Sequence, residues 1–290
     1  MKLRGVLWAA IFMTTGSMAA APQKTTFSVT AEEVRIDVLL TDKGKPLGGM
    51  SATDFEILDN GVPQEIRFVT LQKQTPISAT LVFDMSRSVA GDLLDRLKEA
   101  ADSFLADLQK EDYAALITFN NAVALGSRPG HDFQQIRQAL DRARPYGNSS
   151  LIDGSYAGLV LAESRPEPPL MIVFSDGSDT SSWLTSEAVL ETAKRTDAVV
   201  YAVSSSRLRN KKFLNDLTIL TGGSVFEVES NNDIASTFLN ILEEFRQRYL
   251  VTYTPQGVSE SGWHKVDVRV KHRSAKVKAR PGYVRSSPGQ

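Results

Sequence analysis

The chain has 290 residues, which is enough for one large domain or for a standard domain with a small one beside it. Its 33 basic and 34 acidic residues leave a formal net charge of −1, so non-specific nucleic-acid binding has no overall electrostatic support. The chain has no cysteine, which excludes disulfides, thiolate catalysis and a membrane anchor on an acylated cysteine.

The first residues have the pattern of a secretory signal peptide. Lys2 and Arg4 precede an apolar run at 6–13, and small residues follow at 17–21. The run is too short for a membrane span, and no other segment is long enough. We therefore predict a signal peptide over residues 1–20 and an exported protein, periplasmic or extracellular, with no membrane span after cleavage. A retained N-terminal anchor is the alternative.

Two β-rich segments flank the centre of the chain. Apolar and polar residues alternate over 34–40, and Asn60-Gly61 lies between two short apolar stretches as in a hairpin. Residues 26–75 are therefore predicted to be antiparallel β. Alternation returns after Tyr249, with strands predicted at 250–253, 266–270 and 275–284. We expect 249–285 to pair with 26–75 in a small β-sandwich-like domain, followed by a polar tail at 286–290.

The central segment, residues 77–248, alternates continuous apolar strands with amphipathic helices. This pattern predicts an α/β fold with a doubly wound, mainly parallel sheet covered by helices on both faces. The predicted strands are 78–84, 113–119, 170–175, 198–203 and 225–228, with an edge strand near 123–125. The predicted helices lie near 93–108, 133–143, 151–163, 186–196, 212–220 and 232–248.

Polar residues follow two of these strands at the point where each ends. The first strand runs into Asp84-x-Ser86-x-Ser88, and the strand at 170–175 runs into Asp176; Ser149 opens the helix between them. Ligands of open α/β sheets bind beyond the carboxyl ends of the strands, where such loops converge. Hydroxyl and carboxylate oxygens are ligands that Mg²⁺ prefers. Because the loops supply so few of these oxygens, one coordination position of the metal would stay open for a carboxylate of a partner.

Each of these residues also has a structural interpretation. Asp84 and Asp176 could simply cap their loops, and Ser149 could be the N-cap of the helix that follows it. Asp153 is predicted to support a loop rather than to touch a metal, and Asp179 is predicted to be a turn residue, as is its neighbour Thr180.

Two further residues near these loops are candidates for partner binding. Arg87 lies between the two serines and could steer an acidic partner, although a solvated arginine is the simpler interpretation. Trp183 could anchor a partner, or it could pack on the following helix.

The histidines and the basic C-terminal residues are predicted to be surface residues. His131, His264 and His272 are isolated in sequence and do not suggest a zinc site or a serine triad. The basic residues are predicted to form the solvated face of the C-terminal strands; an anionic polymer, a membrane surface or nucleic acid is the alternative ligand. They are Lys265, Arg269, Lys271, Arg273, Lys276, Lys278 and Arg280.

Three motifs resemble the loops of the metal-ion-dependent adhesion site (MIDAS) of von Willebrand factor A-type domains. They are Asp84-Met-Ser86-Arg-Ser88, Gly147-Asn-Ser149-Ser-Leu-Ile-Asp153 and Phe174-Ser-Asp176-Gly177. The likeness covers about residues 77–248. The flanks, with Asp54-Phe-Glu-Ile57, Tyr249-Leu-Val-Thr-Tyr253 and Gly282-Tyr283, are similar to those of a secreted bacterial VWFA-related family abundant in acidobacteria.

The resemblance implies a dinucleotide-binding-like fold, a bound Mg²⁺ or Mn²⁺, and protein–protein binding without catalysis. Carried over by position, Ser86 and Ser88 would bind the metal directly, and Asp84 and Asp176 would act directly or through water. Ser149 stands where the family usually has threonine, and Asn148 replaces a frequent glycine.

Two other functions compete with this one. A haloacid-dehalogenase-like phosphatase also places an aspartate after its first strand, but it needs a second carboxylate two positions on as a general acid, and this chain has Ser86 there. The other alternative is a structural envelope protein whose loops hold no ion.

Overall fold

The computed structural model describes residues 33–205, 211–271 and 274–285. The predicted signal peptide at 1–20, the first residues of the N-terminal β segment, the polar tail, His272 and Arg273 lie outside the described residues. The strands are β1 (Val34–Asp42), β2 (Lys45–Pro46), β3 (Phe55–Asp59), β4 (Val62–Gln64), β5 (Ile66–Leu71), β6 (Ser78–Asp84), β7 (Tyr113–Phe119), β8 (Val123–Gly130), β9 (Pro169–Ser175), β10 (Val199–Ser205), β11 (Val225–Val228), β12 (Tyr249–Tyr253), β13 (Gly262–Val270), β14 (Lys276–Lys278) and β15 (Gly282–Arg285). The helices are α1 (Asp92–Asp107), α2 (Gln134–Arg142), α3 (Leu151–Ala162), α4 (Ser186–Ala193), α5 (Lys212–Thr221) and α6 (Ile234–Arg246).

The centre of the fold is a sheet with the strand order β11-β10-β9-β6-β7-β8. Its strands are parallel, except that the edge strand β8 runs antiparallel to β7. The predicted α/β fold with a mainly parallel sheet is therefore confirmed. The predicted bounds of β6, β7 and β11 agree with the structure, whereas β8 extends five residues beyond the predicted 123–125.

Helices cover both faces of this sheet. Leu81 and Phe83 of β6 face a hydrophobic cluster that also contains side chains of α1, α2 and α6. Val82, which points to the other face, belongs to a second cluster formed with α3, α4 and α5. Both faces of the strands are apolar because both are buried, which explains the uninterrupted apolar runs in the sequence. None of the helices in the described ranges has the length and apolar character that a membrane span requires.

The flanking strands form two antiparallel sheets, and each sheet contains strands from both flanks of the α/β region. One has the order β14-β1-β12-β5, with β2 paired to β1, and the other has the order β15-β13-β3-β4. Strand β1 pairs with β12, and β3 pairs with β13. A third hydrophobic cluster takes side chains from both sheets, among them Ile36, Val251, Ile57 and Val268.

The prediction of one continuous strand over 275–284 is wrong. The structure divides it into β14, which pairs with β1, and β15, which pairs with β13, so the chain passes from one sheet to the other. The division falls around Pro281, which has no N–H group to donate to a ladder. The carbonyl of Pro281 instead accepts a 2.9 Å hydrogen bond from the N–H of Val266.

The prediction of a surface histidine at position 264 is also wrong. His264 is fully buried, and its Nδ1 lies 2.8 Å from Oδ1 of the equally buried Asp59. The hydroxyls of Tyr253 and Tyr283 donate to Oδ2 of the same carboxylate, at 3.0 and 2.9 Å. Ser259 Oγ lies 3.2 Å from His264 Nε2. Every oxygen of Asp59 is thus hydrogen-bonded, as burial of a carboxylate requires.

Two of the predicted solvated basic residues instead join the flanks to the α/β region. Arg280 is buried; it donates to the carbonyl of Thr196 at 2.8 Å and forms an ion pair with Asp197 at 3.1 Å. Lys278 forms an ion pair with Glu244 of α6 at 3.1 Å. These partners lie 34 to 84 positions away in sequence, so strand alternation alone could not indicate them.

Arg248 lies fully buried between the α/β region and the flanks. It donates to the Tyr201 hydroxyl at 3.0 Å and to the carbonyls of Gly222 and Asp37 at 2.6 and 3.4 Å. The Asp37 side chain is also buried and accepts a 2.5 Å hydrogen bond from Gln72 Nε2. Burial raises the pKa of Asp37 from 3.8 to about 6, although the nearby Arg248 guanidinium and the Gln72 hydrogen bond act to lower it.

Candidate metal centre

Three loops converge at the carboxyl ends of β6 and β9. The two strands are neighbours in register, with Phe83 beside Phe174, so the residues that follow them leave the sheet together. The loop before α3 is tied to both: the N–H of Arg87 donates to the carbonyl of Gly147 at 3.2 Å, and the N–H of Thr180 donates to that of Ser149 at 2.9 Å. The loops meet because adjacent parallel strands end at one edge of the sheet.

The five candidate residues form one hydrogen-bonded network. Ser86 Oγ lies 3.1 Å from Ser88 Oγ, and Ser88 Oγ donates to Asp176 Oδ1 at 2.8 Å. Ser149 Oγ donates to Asp84 Oδ2 at 2.9 Å, and the backbone N–H of Ser86 donates to Asp84 Oδ1. The structure thus brings together all five residues that the sequence picked out.

Asp84 lies buried at the bottom of this network. Its carboxylate is fully buried and accepts the backbone N–H of Ser86 at 2.8 Å and the hydroxyl of Ser175 at 2.8 Å, besides that of Ser149. Burial raises the pKa of Asp84, and the hydrogen bonds from Ser86, Ser175 and Ser149 act to lower it. Ser175 was not among the predicted site residues, although it directly precedes Asp176; it is the last residue of β9 and its side chain is buried.

The donor atoms suit a hard divalent cation. They are two carboxylates and three hydroxyls. Ser86, Ser88 and Ser149 line an open depression of about 430 Å³, and the carboxylates of Asp84 and Asp176 are hydrogen-bonded to these serines. In the described ranges there is no group of three or more His, Asp or Glu side chains arranged to hold a metal. The fit therefore depends on hydroxyl oxygens beside two negative charges. A bound cation would stabilise the ionised form of both carboxylates and could accept a further oxygen ligand from outside.

The alternative of Ser149 as a helix N-cap does not agree with the structure. Helix α3 begins at Leu151 and its N-cap is Ser150, whose side chain makes no capping hydrogen bond. The Ser149 hydroxyl points to Asp84 instead.

A glycine sets the path of the second loop. Gly147 has φ = +70°, and a Cβ built on it would lie 1.9 Å from Oδ1 of Asn121. The same Asn121 oxygen accepts the backbone N–H of Asn148 at 2.5 Å. Only glycine combines this backbone conformation with so close a neighbour. Gly147 and Asn121 therefore position the chain that enters Ser149.

Asp153 supports a loop, as predicted, and so do Asp179 and Thr180, which were predicted to be turn residues. Asp153 accepts the backbone N–H groups of Trp183 and Leu184, both at 2.9 Å. Asp179 Oδ1 accepts the N–H of Ile152 at 3.2 Å, and Thr180 Oγ1 accepts the N–H of Ser149 at 3.1 Å. These bonds fix the third loop against the start of α3.

The two candidate partner-binding residues are exposed. The Trp183 side chain is 92% exposed, so the structure does not support its packing on the following helix. Arg87 is exposed on the rim of the depression. A large apolar side chain in full contact with water contributes nothing to folding by burial.

Comparison with known proteins gives the same fold. A family model described as the von Willebrand factor type A domain matches residues 80–178. Inter-alpha-trypsin inhibitor heavy chain H6 of Homo sapiens is 28% identical, over 41% of this chain and 10% of the human protein. The chain thus matches only about a tenth of that relative.

Solved structures resemble the chain at low identity. A von Willebrand factor type A protein from Catenulispora acidiphila has a TM-score of 0.54 at 9% identity, covering 90% of this chain and 76% of its own. Proximal thread matrix protein 1 of the mussel byssus, with a zinc-occupied MIDAS motif, has a TM-score of 0.53 at 14% identity, covering 63% of this chain and 48% of its own. The chain therefore spans about half of the mussel protein. At such identities the likeness concerns the fold, and together with the matching family model it leads to one conclusion: this chain contains a von Willebrand factor A-type domain.

Proposed function

We propose that this protein is a non-enzymatic binding module that holds a divalent cation, Mg²⁺ or Mn²⁺, and docks an acidic group of a partner protein on it. The proposed metal-binding residues are Asp84, Ser86, Ser88, Ser149 and Asp176. The observation that carries the proposal is the single hydrogen-bonded network of these five residues, whose three serines line an open depression. The zinc-occupied MIDAS motif of the mussel protein supports a divalent cation in general.

The charge of the site favours an acidic ligand. A divalent cation would balance the two carboxylates, and the exposed Arg87 on the rim would leave the depression positive. Trp183, exposed on a loop that Asp153 fixes, is proposed as a second contact with the partner. Aromatic and arginine side chains are the residue types most often found at the energetic centre of protein interfaces.

Phosphatase chemistry has less support. Asp84 would have to be the nucleophile, yet its carboxylate is fully buried and is hydrogen-bonded to Ser86, Ser149 and Ser175. A nucleophile must reach its substrate, and Ser86 cannot replace the missing general acid. A metal-free structural protein remains the main alternative, and the metal titration below distinguishes it.

Thermal unfolding of the chelator-treated protein tests the metal site. We expect MgCl₂ and MnCl₂ to raise the melting temperature, because a ligand that binds only the folded state stabilises it, by about 2.7 kcal/mol at a hundred times its dissociation constant. Asp84→Ala and Asp176→Ala should abolish the rise, while Asp141→Ala, which removes an exposed carboxylate on α2, should keep it. An unchanged melting temperature with both metals would support the metal-free alternative.

We extend the proposal to location and domain organisation. An exported protein is supported by the signal-like pattern at 1–20. N-terminal sequencing of the protein recovered outside the cytoplasm would test this. A β-sandwich-like unit of residues 26–75 and 249–285, beside 77–248, is supported by the pairing of β1 with β12 and by the shared hydrophobic cluster.

A further inference from the structure

A second depression adjoins the metal-site depression. It has a volume of about 410 Å³, close to the 430 Å³ of the first, and Ser178 lines both. It lies between the first turns of α3, α4 and α5, on the side of the third loop where Asp179 stands. One ligand could therefore reach both depressions across Ser178.

The floor of the second depression is apolar and firmly held. Ile152, Leu190 and Phe213 line it, and all three pack against the hydrophobic cluster between the sheet and α3, α4 and α5. Side chains anchored in this way give a preformed surface for an aliphatic chain.

The rim of the second depression is acidic. Among the described residues that line it, Asp179, Glu187 and Asp216 carry negative charge, and Lys212 is the cation. Lys212 forms an ion pair with Asp216 on the same helix. Asp179 and Glu187 therefore leave the rim with net negative charge, next to a metal-site depression whose proposed charge is positive.

We propose that this second depression receives an arginine or lysine side chain from the same partner that docks its carboxylate at the metal. The inference rests on the proposed function and adds a second recognition element to it. The aliphatic stem would lie on Ile152, Leu190 and Phe213, and the charged group would face Asp179 and Glu187. Two adjoining depressions of opposite charge would fix the direction in which a partner segment binds.

Short synthetic peptides test the proposal. Fluorescent glycine-based peptides carry one aspartate and one arginine, separated by one to four glycines, and binding is measured by anisotropy in MgCl₂ and in chelator. We expect Mg²⁺-dependent binding at the best spacing, and about three- to five-fold weaker binding when glutamine replaces the arginine, as for a partly exposed ion pair. Asparagine in place of the aspartate should abolish binding.

Two variants on one helix assign the arginine preference to this depression. Glu187→Gln should weaken the preference, because it removes one of the two rim carboxylates that form no ion pair with another described residue. Glu191 lies one helical turn further along α4, outside the depression, so Glu191→Gln should keep the arginine preference. Both glutamates are exposed, so neither change should alter the melting temperature or its response to Mg²⁺.

The outcomes separate this inference from the proposed function. Equal Mg²⁺-dependent binding of the arginine and glutamine peptides overturns the inference alone. If the arginine preference persists in chelator and with asparagine peptides, the second depression binds arginine as inferred, but the proposed metal-dependent function is contradicted. Absence of binding by every peptide overturns both.

Discussion

Ser88 Oγ donates a 2.8 Å hydrogen bond to Asp176 Oδ1, although 88 positions separate the two residues in sequence. The bond directly joins the loop after β6 to the loop after β9. Because Ser88 is exposed and Asp176 half-buried, both groups could be hydrated without the bond. It therefore contributes little to folding, and Ser88 can be tested for a role in metal binding without unfolding the protein.

Replacement of Ser88 by alanine should separate metal binding from stability. We expect the metal-free free energy of unfolding to fall by less than about 1 kcal/mol, and the Mg²⁺-induced rise in melting temperature to be lost or strongly reduced. Ser178→Ala removes an exposed hydroxyl from the same rim and should keep the response. A full Mg²⁺ response in Ser88→Ala would remove Ser88 from the proposed ligands.

Ser175→Ala should destabilise the metal-free protein. The Ser175 hydroxyl is buried and donates to the buried Asp84 carboxylate, so its loss should cost about 1–3 kcal/mol in chemical unfolding. Ser204→Ala is a matched control, because Ser204 of β10 is buried beside Ser175 and its hydroxyl has no hydrogen-bond partner among the described residues. That change should be neutral or slightly stabilising. Equal losses in the two variants would show that the bond to Asp84 does not matter.

Asp37 should make stability depend on pH. Its pKa is about 6 in the folded protein and 3.8 in an unperturbed chain, so the folded state binds the proton more tightly. The contribution of protonated Asp37 to the free energy of unfolding is fully present below about pH 4 and is lost as pH rises through 6. We expect the unfolding free energy of the wild type, minus that of Asp37→Asn, to fall by about 2 kcal/mol between pH 4 and pH 7. A difference independent of pH, measured by urea unfolding, would contradict this.

The buried cluster around Asp59 should be a main source of stability in the flanks. Asp59→Ala would leave the ring of His264 and the hydroxyls of Tyr253 and Tyr283 without their shared acceptor, at a cost of about 3–5 kcal/mol. Asp267→Ala on β13 breaks an exposed ion pair with Arg269 and should cost less than about 1 kcal/mol. Similar losses in both variants would count against a special role for the cluster.

The sequence predicted the α/β elements well where burial is uniform. Strand β6 is buried along its whole length and is mainly apolar up to Asp84, with only Ser78 and Thr80 as polar residues before it. Its bounds and the residue at its end could therefore be identified. The three loops of the candidate site could be predicted because strand ends at one edge of a parallel sheet must converge. Ser175 was missed because it was counted as the end of an apolar strand, and its bond to Asp84, 91 positions away, has no local signal in the sequence.

The flanks were harder to predict, for two physical reasons. His264 shares a face with Val266 and Val268 by the two-residue period of β13, which could have indicated its burial, but its partner Asp59 lies 205 positions away. The ion pairs of Lys278 and Arg280 depend on how the flanks pack against α6 and the loop before β10. No local pattern encodes such packing.

The pairing of β1 with β12 also constrains the order in which the molecule assembles. A chain made from its N-terminus presents residues 34–38 long before their partners at 249–253 exist. Closing so long a loop is slow, and until it closes the backbone N–H and C=O groups of β1 stay open to pairing with other chains. Nascent protein should therefore be most prone to aggregate before residues 249–278, which contain the partner strands of β1, emerge.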